Sequence, residues 1–183
     1  MACITNLATA IKYDCESGAT GFVSALIINK SDIESFSYGA YNEINSFALK
    51  DGAKAYKIDV VKRSLVMSDS LKVNEGAPNA FTHTATLTVA MERHEGAWAN
   101  LSNALTNGSF VILTFPRTYV EGSSPVSVYG LYYGMSTTSV ERSSHDNGTW
   151  ATIVMSTPEN TIGEDTMVMK KTIYDALYAA AVG

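Results

Sequence analysis

The sharpest period-two pattern of apolar and polar positions in the chain runs from Phe81 to Met91. Phe81, Ala85, Leu87, Val89 and Met91 share one side with His83, and Thr82, Thr84, Thr86 and Thr88 occupy the other. Because successive side chains of a strand point to opposite faces, this period of two predicts a strand with one buried face and one covered in hydroxyls. A threonine face of this kind suits solvent or a hydrogen-bonded contact with another protein surface. The period then lengthens: Trp98, Leu101 and Leu105 recur at i, i+3 and i+7 with Ala97 and Ala104 beside them, the apolar stripe of a helix over about residues 94–107. Glu95 near its start favours the macrodipole, and Asn107-Gly108 stands where a left-handed cap is expected. Beyond it, Phe110-Val111-Ile112-Leu113 and Phe115 are apolar on both faces, which predicts a strand covered by the helix on one side and by a second sheet on the other.

The flanking segments extend this β pattern. Residues 1–21 read as an arm or loop, followed by an apolar strand from Phe22 to Ile28 and short edge strands between Ile33 and Phe47. Asp51-Gly52 is a hairpin signal ahead of a strand from Lys54 to Val61, where Tyr56, Ile58 and Val60 share a face. From 62 to 79 the pattern weakens, yet Leu65, Val66, Met67, Leu71 and Val73 are too apolar for a free linker; a projecting hairpin or arm that meets a neighbouring subunit is expected, with an ordinary internal hairpin as the alternative. Val126 to Met135 predicts a Tyr- and Gly-rich strand, and Thr137 to Val140 is expected to pair with Trp150 to Met155 across Asp146-Asn147-Gly148. Met167 to Ile173 completes the strands, and the alanine-rich tail from Tyr174 to Val182 has helical propensity. The fold class expected is mainly β (α+β): two packed antiparallel sheets in a sandwich or partly open barrel, with one flanking helix, in a single domain over residues 1–183.

Composition narrows the function. With 183 residues, 46% of them hydrophobic, the chain has the material for one core. A formal net charge of -5 without a basic stripe argues against gripping nucleic acid, since phosphate affinity comes from clustered Lys and Arg that release counterions. No apolar run approaches the ~20 residues of a membrane span, and Met1-Ala2-Cys3-Ile4-Thr5-Asn6 lacks the basic and apolar regions of a signal peptide, so synthesis in the cytosol is expected.

Chemistry-bearing patterns are few. His83, His94 and His145 are scattered without a zinc spacing, and His83, on an apolar strand face, reads as a hydrogen-bonded, partly buried core residue rather than a ligand. GxSxG, Walker A and GxGxxG are absent, so neither a catalytic residue, a metal nor a cofactor is expected. Tyr129, Tyr132, Tyr133 and Trp150 could form a sugar-stacking platform, but core or interface packing is the commoner use of tyrosine. Cys3 and Cys15, the only cysteines, read as free thiols, with a disulfide that closes the amino-terminal loop as the alternative in an oxidising destination.

Three local features accompany this layout: Met1-Ala2-Cys3 with Asp14-Cys15 and Gly21; Val128-Tyr129-Gly130-Leu131 followed by Gly134; and Asp146-Asn147-Gly148 leading to Ser156-Thr157-Pro158-Glu159. In its arrangement of arm, two sheets, one helix and projecting loop, the chain resembles the major tail tube proteins of tailed bacteriophages, a fold shared with related contractile injection and secretion tubes. That resemblance implies a non-enzymatic virion protein, made in the host cytoplasm and placed in the tail. Its copies would form hexameric rings that stack with other tail proteins into a conduit for genomic DNA, without specific DNA binding or a membrane. Leu65, Val66, Met67, Leu71 and Val73 would then make inter-subunit contacts, and Thr82, Thr84, Thr86 and Thr88 would face the bore or a neighbour. A carbohydrate-binding or lectin-like β-sandwich, or a head-tail connector or other phage structural protein, are the alternatives.

Overall fold

The computed structural model describes residues 21–58, 60, 64–72, 80–90, 95–117, 119–143, 150–158 and 167–183. In chain order the strands are β1 (Phe22–Asn29), β2 (Ile33–Tyr38), β3 (Glu43–Leu49), β4 (Tyr56–Ile58), β5 (Leu65–Lys72), β6 (Ala80–Ala90), β7 (Ser109–Pro116), β8 (Val126–Tyr129), β9 (Met135–Ser143), β10 (Trp150–Ser156) and β11 (Met167–Met169). The helix α1 (Glu95–Asn107) links β6 to β7, and α2 (Lys171–Ala180) follows β11. The fold is mainly β, as the alternation of apolar and polar residues requires, and α1 falls on the predicted helical stripe.

Among the described residues the 11 strands belong to one sheet that does not close, in the order β2-β3-β11-β8-β7-β9-β10-β6-β5, with β1 on β7 and β4 on β1. The branch point is β7. Its Ile112–Thr114 stretch pairs with β8, while Ser109 and Phe110 pair with β9, so the chain splits into two lobes that share β7. The turn between β8 and β9 is what allows this. Gly130 and Gly134 both take positive φ, and a Cβ on Gly130 would come within 2.9 Å of the Phe110 carbonyl oxygen. Only glycine fits so close to a neighbouring backbone at such a φ without strain.

The central β1–β7 ribbon explains why both segments read as continuous apolar runs. On one face Ala25, Ile27, Phe110 and Ile112 pack with Leu65, Leu87, Ile153 and Met155 from the second lobe and with Leu105 of α1. On the other, Leu26, Ile28, Val111 and Leu113 pack with Ile44, Val128, Met169 and Tyr174 of α2. Each fully buried Leu or Ile contributes about 1.5–3 kcal/mol relative to exposure, and a ribbon loaded on both faces is therefore the least replaceable part of the molecule.

Several local expectations need correction. The pairing is not wholly antiparallel, because β11 runs parallel to β3. Asp51-Gly52 is a turn, with Gly52 at φ +75 and Ala53 N–H donating to the Lys50 carbonyl, but it does not make a hairpin: β3 pairs with β2 and β11, and β4 pairs with β1. Gly108 closes α1 through a 2.8 Å hydrogen bond to the Ala104 carbonyl without the left-handed φ expected there. Finally, the last strand ends at Met169 and not at Ile173, because the helix that the tail's propensity indicates already begins at Lys171, where Ile173, Tyr174, Leu177 and Tyr178 supply an apolar stripe that packs on the second core.

Candidate assembly surfaces

The registers of β5, β6, β10 and β9 bring the threonine face into a four-strand array. Val66 lies opposite Thr86, Thr86 opposite Val154, and Val154 opposite Ser139. The next row runs Ser68, Thr84, Ser156 and Ser136, and Thr88 lies opposite Thr152, itself opposite Glu141. The cause is the period of two: Ala85, Leu87 and Val89 are drawn into the core, as are Ala151, Ile153 and Met155 of β10, which leaves the alternate hydroxyl residues of both strands outside. Thr82, Thr84, Thr86 and Thr88 are half-buried by their cross-strand neighbours. Among the described side chains in these rows Glu141 is the only ionisable group.

The expected contact residues of β5 divide between two environments. Leu65 is in the core at 2% exposure and Met67 is partly buried against it, whereas Val66 is 45% exposed on the hydroxyl face. Leu71 lies in β5 opposite Phe81. Val73, Cys3, Cys15 and most of the arm 1–21 lie outside the described residues, as do His94 and His145. Rather than standing apart from the sheet, β5 pairs with β6 in register from Leu65–Leu87 to Lys72–Ala80.

Among the described residues β2 and β5 end the main path of the sheet, and β4 ends its β1 branch, where Val182 bridges to Tyr56. A terminal strand presents backbone N–H and C=O groups along its outer side, a template for pairing with another strand. Beside the β2 edge stands an aromatic corner. Phe36 and Tyr132 meet edge to face at 5.7 Å, and Tyr38 meets Tyr132 in the same way at 6.2 Å, with Tyr38 53% and Tyr132 42% exposed. This divides the tyrosine cluster read from the sequence: Tyr129 is buried in the core, Tyr132 and Tyr133 are at the surface, and the Trp150 side chain lies outside the description.

At the β5 edge a polar pair interrupts the apolar face. His83 is fully buried, and its Nδ1 lies 2.7 Å from Asp69 Oδ1 on the opposing residue of β5. The His83 backbone N–H donates to Thr157 Oγ1 at 3.0 Å, the Thr157 N–H donates to the His83 carbonyl, and the imidazole sits edge-on to Tyr129 at 5.3 Å. Burial pushes the Tyr129 phenol above its ordinary pKa. His83 is thus hydrogen-bonded as its place on an apolar face indicates, though fully rather than partly buried, and Asp69 went unrecognised. The signal was available: Leu65, Met67, Asp69 and Leu71 share a face, and Asp69 is the charged member of it.

Among the described residues no three His, Cys, Asp or Glu side chains gather into a possible metal site, and no helix is long and apolar enough to cross a membrane. Comparison with known proteins finds no matching family model, no matching curated protein and no matching solved structure.

Proposed function

We propose that this chain is a structural subunit of the tail-tube class, whose copies close into hexameric rings that stack into a conduit for DNA leaving a bacteriophage. The observation that carries the reading is the combination of a main sheet path that ends, among the described residues, in β2 and β5 and a hydroxyl face that adjoins β5. Two unlike edges on one molecule make a head-to-tail contact, and a head-to-tail contact with the right rotation generates a ring. Ring closure also removes the hazard of uncontrolled edge pairing.

The hydroxyl face suits a bore for electrostatic reasons. A lining rich in Lys and Arg would hold the passing phosphates by the counterion release that strengthens DNA binders. Serine and threonine hydroxyls keep such a wall wet without anchoring the polyanion, and the formal charge of -5 fits a molecule that does not retain DNA.

Sedimentation velocity over a rising protein concentration tests this reading. The expected result is a shift from monomer to a large closed species, lost in a Thr84→Lys/Thr86→Lys double variant that stays folded. Unaltered assembly of that variant would show that the threonine face only meets solvent. A second reading, a glycan-binding β-sandwich, draws on the corner where exposed Tyr38 and Tyr132 meet around half-buried Phe36. A persistent monomer that binds a glycan array, and loses binding in Tyr38→Ala/Tyr132→Ala, would favour it.

A further inference from the structure

We propose that the segment after α2, residues 181–183, guards the β4 edge against strand addition by a second copy of the chain, and so leaves each copy two edges for assembly. This inference rests on the ring reading above and adds what limits the number of contacts.

The branching of the sheet creates the need. Among the described residues the sheet has three ends: β2, β5 and, on the β1 branch, β4. A ring of head-to-tail contacts uses two edges of every copy. A third open edge would remain on the ring as a template for further strands, joining rings to one another without defined symmetry. β1 pairs with one side of β4, in register from Ala25–Ile58 to Ile27–Tyr56, and the Ala55 carbonyl and Lys57 N–H serve the other side.

Those two groups are the ones that the segment takes. The Lys57 N–H donates to the Val182 carbonyl at 2.9 Å, and the Val182 N–H donates to the Ala55 carbonyl at 3.0 Å, which sets Val182 against Tyr56 as a parallel bridge. Ala181 leads the chain there: it ends α2 in extended backbone, at φ -73 and ψ 146, and packs on the second core. Lys57 holds the segment from two further sides. Its ammonium lies 4.7 Å from the centre of the Tyr178 ring, and its stem runs so close to Gly183 that a Cβ there would stand 2.5 Å from the Lys57 Cδ. The contact is small, yet it occupies the hydrogen-bonding groups that a strand from outside would need.

The test compares the parent with a variant that lacks residues 181–183 and with Val182→Pro. The proline deletes the N–H that Ala55 accepts and suits the extended Ala181 before it. Val182→Ala, which keeps both backbone hydrogen bonds, is the control. Circular dichroism establishes that each variant is folded, and Val182→Pro carries the test if the shortened chain is not. Mass is followed against protein concentration by sedimentation velocity and light scattering. Parent and Val182→Ala are expected to reach a closed species whose mass stops rising with concentration. The shortened chain and Val182→Pro are expected to lose that plateau and to form branched aggregates. Adding Lys57→Pro to either variant removes the N–H of the uncovered edge, a substitution that an edge strand tolerates, and is expected to restore the plateau.

The same plateau in parent, shortened chain and Val182→Pro overturns the guard and leaves the ring reading intact. Aggregation that persists with Lys57→Pro overturns the guard as well, because the aggregates then do not form through β4. A monomeric parent whose uncovered variants polymerise supports the guard and overturns the ring reading. Monomers throughout overturn both.

Discussion

Tyr174 shows how much one side chain of α2 ties together. It is 2% exposed, its hydroxyl lies 2.7 Å from Ser24 Oγ, and its ring stacks at 5.8 Å on both Phe115 and Tyr178. Burial, more than the opposing Ser24 hydrogen bond, drives its phenol well above the ordinary value of 10.0. The folded chain therefore holds this proton at pH values where the unfolded chain has released it. Its contribution is fully present below about pH 10 and is lost as pH rises towards the folded-state value. Urea denaturation of Tyr174→Phe should show a loss of about 1 kcal/mol at pH 7, the worth of the hydrogen bond, and a shallower fall in stability than the parent between about pH 9 and about pH 11. A parent whose stability is flat across that range would contradict this role. Gly130→Ala should cost more than about 1 kcal/mol, because both the positive φ and the approach to the Phe110 carbonyl exclude a Cβ. Thermal melting measures that cost. At this scale legibility was uneven: the burial of His83 could be read from its place on an apolar strand face, whereas its bond to Asp69 depends on a cross-strand register that the sequence of β5 alone does not set.

The elements themselves were easier to read than their partners. Alternation located β6, the helical stripe located α1, and the unbroken apolar run located β7, because each signal arises within one segment. Partner choice arises between segments, which is why Asp51-Gly52 marked a turn correctly but not the strands it joins. The short 129–135 connection was likewise read as one strand, since its two positive-φ glycines, Gly130 and Gly134, separate β8 from β9 without interrupting the tyrosine-rich pattern. β5 belongs to the fold as well as to the surface: it covers β6, and Leu65 lies opposite Leu87 in the core. Leu87→Ala should therefore destabilise by about 2–5 kcal/mol in chemical denaturation. The Thr84→Lys/Thr86→Lys variant should cost less than about 1 kcal/mol, because long lysine side chains can carry their charge to water from a half-buried surface position. If the two costs were equal, the division of β6 into a core face and an outer face would be wrong.

For the molecule as a whole, the open sheet is the feature that links fold to function. A central ribbon packed on both faces holds the lobes together, while β2 and β5 end the main path of the sheet among the described residues. The mainly β class and a single flanking helix before β7 were legible from periodicity; the branching at β7, the parallel β11–β3 pair and the docking of α2 were not, since they depend on contacts between residues far apart in the chain. Electron microscopy of the purified chain at high concentration addresses the assembly claim directly. Closed rings, and short stacks of them, are expected, in which β2 of one copy adjoins β5 of the next and the threonine face lines the opening. A field of monomers at every concentration, or rings joined through neither β2 nor β5, would contradict the ring reading.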